Sequence, residues 1–238
     1  MGILYWSAAP IPPVGEADRL YGQLKQAFSS AGSAAYLDEL IRREGRPILP
    51  SVAIARLSAL SLLPPLLARA GFSPASVNLR RDEYHRPYGT DAVGHPLPLD
   101  FNLSHSGCYV ACGLLTGGGR VGVDVEEILS PARALPLIRR YCTEEELMLP
   151  KDPSDRDRAR CFTRVWTLRE AVSKQEGQGM PWKHSATRIP PSVRVFSGGF
   201  RDTDTRIALC VPAELRFSDV IPIHPFPTIE WDHVSGLA

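Results

Sequence analysis

The sequence predicts a mixed α and β protein rich in turns, and three observations carry that reading. Its 22 prolines and 19 glycines are scattered among short periodic segments, a distribution that argues against a helical bundle. Helical spacing of apolar residues and strand-like alternation both occur, in separate stretches. No low-complexity tract or fixed-period repeat interrupts them.

From Glu16 to Leu40 polar and apolar residues mix at helical spacing. Pro50 to Ala70 is a more apolar helical segment that Pro64-Pro65 interrupts or ends, because proline removes a backbone donor and clashes with the preceding turn. The clearest local expectation is a hairpin. Cys108 to Leu115 and Arg120 to Glu126 flank Thr116-Gly117-Gly118-Gly119, which holds enough glycine to reverse the chain. Thr143 with Glu146 fits a capping box opening a short helix, and Asp155 to Gln175 reads as a longer one ended by Gly177 and Gly179. Beyond Pro190, Val193 to Phe196 and Arg206 to Val211 read as strands separated by the turn-rich Ser197 to Thr205, with a last strand near Val220 to Ile223.

Composition narrows the function. With 44% hydrophobic and 22% charged residues the chain can bury a substantial core, as one large domain or two small lobes. Its 27 basic and 26 acidic side chains leave a net charge of +1, which points away from nucleic-acid binding and from a polybasic membrane surface. Any phosphate affinity must be local. The five cysteines, Cys108, Cys112, Cys142, Cys161 and Cys210, form no C-x-x-C pair, and their odd number argues against a disulfide framework, so a reduced, cytoplasmic protein is expected. The start lacks a basic region and a long apolar run, Trp6 stands where a myristoylation signal needs Ser or Thr, and no stretch approaches the roughly 20 apolar residues of a membrane span. Neither export nor anchoring is expected.

Two segments carry chemistry. Along Val121-Gly122-Val123-Asp124-Val125-Glu126 the alternation is strict, so a strand puts the valines on one face and Gly122, Asp124 and Glu126 on the other. Carboxylates at i and i+2 can share one hard cation, and the glycine leaves room for a ligand. Taken alone, the segment reads rather as a half-exposed edge strand with solvated acids. In the later helix Cys161, Val165, Leu168 and Val172 form a narrow apolar stripe. At roughly 100° per residue Glu170 falls about 180° from Cys161 and Lys174 about 40° further, an i,i+4 pair on one exposed face flanked by Trp166. Alone, that pair reads as an ordinary surface salt bridge worth a few tenths of a kcal/mol.

Together the segments say more. Gly-Val-Asp-Val-Glu, followed by Trp-Thr-Leu-Arg-Glu-Ala-Val-Ser-Lys from Trp166 to Lys174, resembles the two-part signature of the 4'-phosphopantetheinyl transferases. Arg169 departs from the lysine usual there, and a planar guanidinium is not a point-charge ammonium. Phe101-Asn102-Leu103-Ser104-His105-Ser106-Gly107 is similar to the family's N-[IL]-S-H-[ST] segment, though it also reads as a polar turn. His85-Arg86-Pro87-Tyr88-Gly89 resembles its G-[KR]-P-Y turn with His85 in the glycine position, and Tyr141 to Glu146 resembles its aromatic-and-acid segment.

The resemblance implies an α+β fold of two similar lobes, each a small, mostly antiparallel sheet packed with helices. At 238 residues the chain matches the larger, monomeric class, with an N-terminal lobe over 1–118 and a C-terminal lobe over 119–238. The implied reaction moves the 4'-phosphopantetheine arm of coenzyme A onto a serine of an apo acyl, peptidyl or aryl carrier protein and releases 3',5'-ADP. Asp124, Glu126 and Glu170 are the implied magnesium ligands, with Glu170 also the proton acceptor and Lys174 the cation for the departing phosphate. Arg86, Ser104 and His105 are the implied contacts to the coenzyme A phosphates, and Arg46 stands near the adenine and its 3'-phosphate. The alternatives are a metal-dependent phosphohydrolase and a non-enzymatic module binding coenzyme A or a carrier protein, since acids beside basic phosphate contacts serve all three.

Overall fold

A computed structural model describes residues 2–43, 45–177, 189–223 and 228–232. The chain begins with β1 (Leu4–Pro10), α1 (Ala17–Ala27) and α2 (Ala34–Ile41). The one helical stretch expected over 16–40 is therefore two helices. The serine-rich break between them anchors both to a later strand: Ser30 and Ser33 donate to the Val77 carbonyl, and Ser33 Oγ accepts from Leu79 N–H. Next come a short ribbon, β2 (Arg42–Arg43) with β3 (Arg46–Pro47), then α3 (Pro50–Ser61) and α4 (Leu63–Arg69). The helix breaks at Leu62, just ahead of Pro64-Pro65, as expected. Contrary to the expectation that no apolar stretch is long enough for a membrane, Pro50–Arg69 reaches a mean hydropathy of 1.6 over a membrane-spanning length; 61% of that window is buried inside the fold, where it forms core.

Four strands follow, β4 (Asn78–Arg81), β5 (Pro87–Thr90), β6 (Leu99–Ser106) and β7 (Tyr109–Thr116). The second half holds β8 (Gly122–Glu127), α5 (Pro131–Tyr141), α6 (Glu144–Leu147), α7 (Asp155–Glu176), β9 (Val193–Phe200), β10 (Thr205–Pro212), β11 (Val220–Pro222) and β12 (Ile229–Trp231). The capping box at Thr143 and Glu146 forms as read, and α7 ends at Gly177, whose φ of 78° is a left-handed cap. Gly179 lies outside the described residues.

Two four-stranded sheets organise the protein, β11-β1-β7-β6 and β12-β9-β10-β8, and every pairing in them is antiparallel except β1 with β11. They lie face to face over a shared core in which Leu4, Trp6 and Leu115 meet Val121, Val123, Val125, Ile207 and Leu209. Helices α1 to α4 cover the outer face of the first sheet through Leu57, Leu60, Phe101 and Leu114. Helix α7 covers the second through Leu168, Ala171, Ala208 and Cys210. The fold is α+β with small antiparallel sheets and helices, as the resemblance implied, and all five cysteines are unpaired.

The expected hairpin does not form. The glycine turn reverses the chain, but β7 already pairs with β1 on one side and β6 on the other, so β8 has no edge to join. It passes into the second layer, with its valines directed at the first. Gly113 makes room for them: a Cβ there would stand 2.7 Å from Val123 Cγ2.

Candidate active site

Strand β8 is an edge strand, paired with β10 on one side only. An exposed edge leaves a row of unpaired N–H groups, and here side chains of β6 take that row in order. Val121 N–H donates to Asp100 Oδ2 (2.7 Å), Val123 N–H to Asn102 Oδ1 (2.9 Å), Val125 N–H to Ser104 Oγ (3.2 Å) and Glu127 N–H to Ser106 Oγ (3.3 Å). This comb of alternate β6 residues joins the two sheets along the line that carries the acids. The segment read as a phosphate motif or a polar turn is thus a strand, and its even-numbered side chains face β8.

The other face of β8 meets α7. At Gly122 an added Cβ would lie 1.8 Å from the Ala171 carbonyl oxygen, so only glycine lets the helix sit this close. Asp124 is buried, Glu126 and Glu170 half-buried, and Lys174 reaches across from α7. Its Nζ donates to Asp124 Oδ1 (2.7 Å), Ser104 Oγ (3.1 Å) and the Val123 carbonyl (3.2 Å). Two expectations change. Asp124 is no solvated edge acid, and Lys174 pairs with Asp124 rather than with Glu170 on an open helix face. The buried surface of α7 is also broader than the expected stripe: Phe162 and Val165 pack against α5 and α6, Leu168, Ala171 and Val172 against the second sheet, and Thr167 and Ser173 are buried as well.

Burial raises all three carboxylates above their ordinary range. For Asp124 it outweighs the Lys174 ammonium beside it. Glu126 is pushed up to about 7, by burial first and then by the charge of Asp124. Glu170 is raised by burial and again by Asp124. Among the described residues no three His, Cys, Asp or Glu side chains converge closely enough to grip an ion as they stand. The donor set nonetheless fits a hard cation: Asp124 Oδ2 is buried without a hydrogen-bond partner, and the Asp124 charge that raises both Glu126 and Glu170 is what a divalent ion offsets.

A cleft of about 570 Å³ is lined by Arg42, Arg43, Arg56, Arg81, His85 and His105; none of the three acids lines it, and its link to them is β6, whose His105 feels the charge of Lys174. Arg81 is committed to Glu39 (3.0 Å) and the face of Tyr36, whereas Arg42, Arg43 and Arg56 form no ion pair among the described residues. His105 is held below its ordinary value by the surrounding protein and then by the cations Lys174 and Arg56. Sequence reasoning chose Arg46, which is exposed on the far arm of the ribbon opposite Arg43. It missed Arg42, Arg43 and Arg56. The one usable signal was Arg56, a lone charge inside the apolar run from Pro50 to Ala68.

Arg86 sits differently from the phosphate reading. It is 9% exposed, and its guanidinium donates to Asp100 Oδ2 (2.5 Å), to the Val121 carbonyl (2.7 Å) and to the Lys174 carbonyl. It locks the start of β8 to the end of α7. Ser104 is likewise engaged, donating to Asp124 Oδ1 at 3.0 Å. His85 keeps the backbone its glycine-type position requires, with a φ of 62°. Arg169 uses its planar fork on the Tyr141 carbonyl (2.6 Å) and Glu146 Oε1 (2.5 Å), bracing α7 against the α5 to α6 corner one residue before Glu170.

A buried acidic set linked through β6 to an arginine-lined cleft is the equipment of an enzyme acting on phosphate groups. Residues 120–211, which hold all three acids and Lys174, match the family model of the 4'-phosphopantetheinyl transferase superfamily. A Haemophilus influenzae protein bearing the provisional name 4'-phosphopantetheinyl transferase is 31% identical over 220 residues, 86% of this chain and 82% of the relative. The 4'-phosphopantetheinyl transferase AcpT of Salmonella typhi is 35% identical over 52% of this chain and 64% of its own. The 4'-phosphopantetheinyl transferase Sfp of Bacillus subtilis is 28% identical over 39% of this chain and 40% of its own. The chain belongs to the 4'-phosphopantetheinyl transferase superfamily. The phosphohydrolase and binding-module alternatives gain no support from these relatives.

Proposed function

We propose that this chain transfers the 4'-phosphopantetheine arm of coenzyme A to a serine hydroxyl of an apo acyl, peptidyl or aryl carrier protein, releasing 3',5'-ADP, with a magnesium ion held by Asp124, Glu126 and Glu170. The observation that carries this reading is the junction of β8 and α7, where Asp124, with one buried oxygen left unpartnered, shares the site with Glu126, Glu170 and Lys174, while β6 carries His105 into an arginine-lined cleft. The ion, when bound, supplies electrostatic stabilisation of charge on the pyrophosphate.

The chain's own residues do the remainder. Glu170, half-buried on α7 beside Asp124 and Glu126, takes the serine proton as a general base. Lys174 offers its ammonium to the departing phosphate. Arg42, Arg43 and Arg56 take the nucleotide phosphates in the cleft, with Arg46 adding charge beside Arg43. His105, lowered in pKa, serves at pH 7 as a neutral hydrogen-bond donor. Arg86 and Ser104 act on the phosphates through Lys174, which both of them hold. Since both sides of the site come from one chain, the enzyme works as a monomer of the larger class. Its lobes divide at 118/119, with β11 returning to pair with β1. Five free thiols suit the reducing cytoplasm.

The test is the intact mass of a purified apo carrier protein after incubation with this protein, coenzyme A and magnesium, beside an EDTA control. The expected result is a gain of one phosphopantetheine that EDTA abolishes. No gain across acyl, peptidyl and aryl carriers would overturn the transferase reading, and a gain that survives EDTA would overturn the metal.

A further inference from the structure

The β6 comb offers β8 two serines in the same arrangement, one register step apart. Ser104 Oγ accepts from Val125 N–H and donates to Asp124. Two residues on, Ser106 Oγ accepts from Glu127 N–H at 3.3 Å and donates to Glu126 Oε2 at 2.6 Å. A hydroxyl carries one proton, so with a backbone N–H on its lone pair that proton is left for the carboxylate. Ser104 shares its acid with Lys174. Among the described residues, Ser106 is the only side chain that donates to Glu126.

The seat of Ser106 is built from both strands. Gly107 follows it with a φ of 55°, and a Cβ there would fall 2.2 Å from Glu127 Oε2, so the Glu127 side chain occupies the space a larger residue would need. That packing closes the end of the comb. Glu126 itself has several rotatable bonds, and ordering such a side chain costs up to about 2 kcal/mol of conformational entropy. A short hydrogen bond from a fixed hydroxyl meets that cost before any ligand arrives.

We propose that Ser106 is a positioning residue for the transfer reaction, restricting the Glu126 carboxylate on the Asp124 face of β8 so that less ordering remains when it takes a cation. The inference rests on the reading that Asp124, Glu126 and Glu170 hold a divalent ion. Its effect is indirect, since Ser106 touches Glu126 and not the reacting atoms. Partners that orient a metal ligand typically change metal affinity by about 10–100-fold when removed.

The experiment measures Mn2+ uptake by electron paramagnetic resonance on the full chain as wild type, Ser106→Ala and Ser106→Thr, with thermal melting in EDTA as the check on folding. Ser106→Ala is expected to weaken Mn2+ binding about tenfold, at the lower end of that range, while melting in EDTA shifts little. Ser106→Thr is expected to restore most of the affinity, because threonine keeps the hydroxyl and suits a strand. Wild-type affinity in the alanine variant overturns the proposal. Weak binding that threonine fails to restore overturns it as well, since the contribution would then be steric. If wild type itself takes up no Mn2+, the metal assignment fails, and the role given to Ser106 falls with it.

Discussion

Replacing Arg86 by alanine is expected to lower stability by about 3–5 kcal/mol, the range for a buried ion pair that loses one partner. The pair is buried on both sides, with 8% of the Arg86 side chain and 14% of Asp100 exposed. Without the guanidinium, Asp100 keeps only the Val121 N–H as a donor, and the carbonyls of Val121 and Lys174 lose the Arg86 N–H groups they accept from. Burial already holds Asp100 above its ordinary value, with Arg86 opposing the rise. Removing Arg86 raises it further. A carboxylate raised in the folded state favours folding below its unfolded value, near 4, and loses that advantage as pH climbs through the folded one. The destabilisation should therefore be larger at pH 7 than at pH 4. Arg86→Lys should rescue little, because an ammonium cannot reproduce a planar fork that reaches a carboxylate and two carbonyls. Urea denaturation midpoints at both pH values check this. An unchanged midpoint with a raised KM for coenzyme A would instead return Arg86 to the phosphate contacts.

The same residue marks where sequence reading stops. Local chemistry was legible: the Thr143 and Glu146 capping box, the left-handed cap at Gly177, and the division of 121–126 into a valine face and an acidic face all depend on residues within a turn or strand. What the acidic face meets was not. Arg86 bonds the Lys174 carbonyl across 88 residues of chain, and nothing in the local pattern separates such a lock from a surface arginine awaiting phosphate. The hairpin failed for a similar reason. Glycine content predicts that a chain reverses, but whether the second strand pairs or changes layer depends on β1, which had already taken the free edge of β7. The comb was hidden because Ser-His-Ser-Gly has turn chemistry. Only as a strand facing a bare edge do its alternate residues become hydrogen-bond partners of β8.

Asp124→Asn should separate the function of the acidic site from its part in the fold. Transfer is expected to fall by at least about 10²–10³-fold, the scale on which loss of one preorganised electrostatic partner acts. Stability should move by only on the order of 1 kcal/mol, the size of one neutral hydrogen bond, because two effects oppose each other. The amide oxygen still accepts from Lys174 and Ser104, though the ion pair with Lys174 loses its charge. In exchange, the buried charge that raises both Glu126 and Glu170 disappears. The sign follows from linkage. Glu126, pushed up to about 7, contributes stability to the metal-free protein that is present below its unfolded value, near 4.3, and lost as pH rises through 7. Removing the Asp124 charge lowers the folded value of Glu126 and shrinks that loss. Melting in EDTA at pH 5 and pH 8 should therefore show a smaller decline for Asp124→Asn than for wild type, and added magnesium should raise the wild type at pH 8 and leave the variant nearly unmoved. An active variant, or a wild type whose stability at pH 8 ignores magnesium, would remove Asp124 from the metal site. An inactive variant that also melts far below wild type would make the carboxylate a structural acid whose chief partner is Lys174.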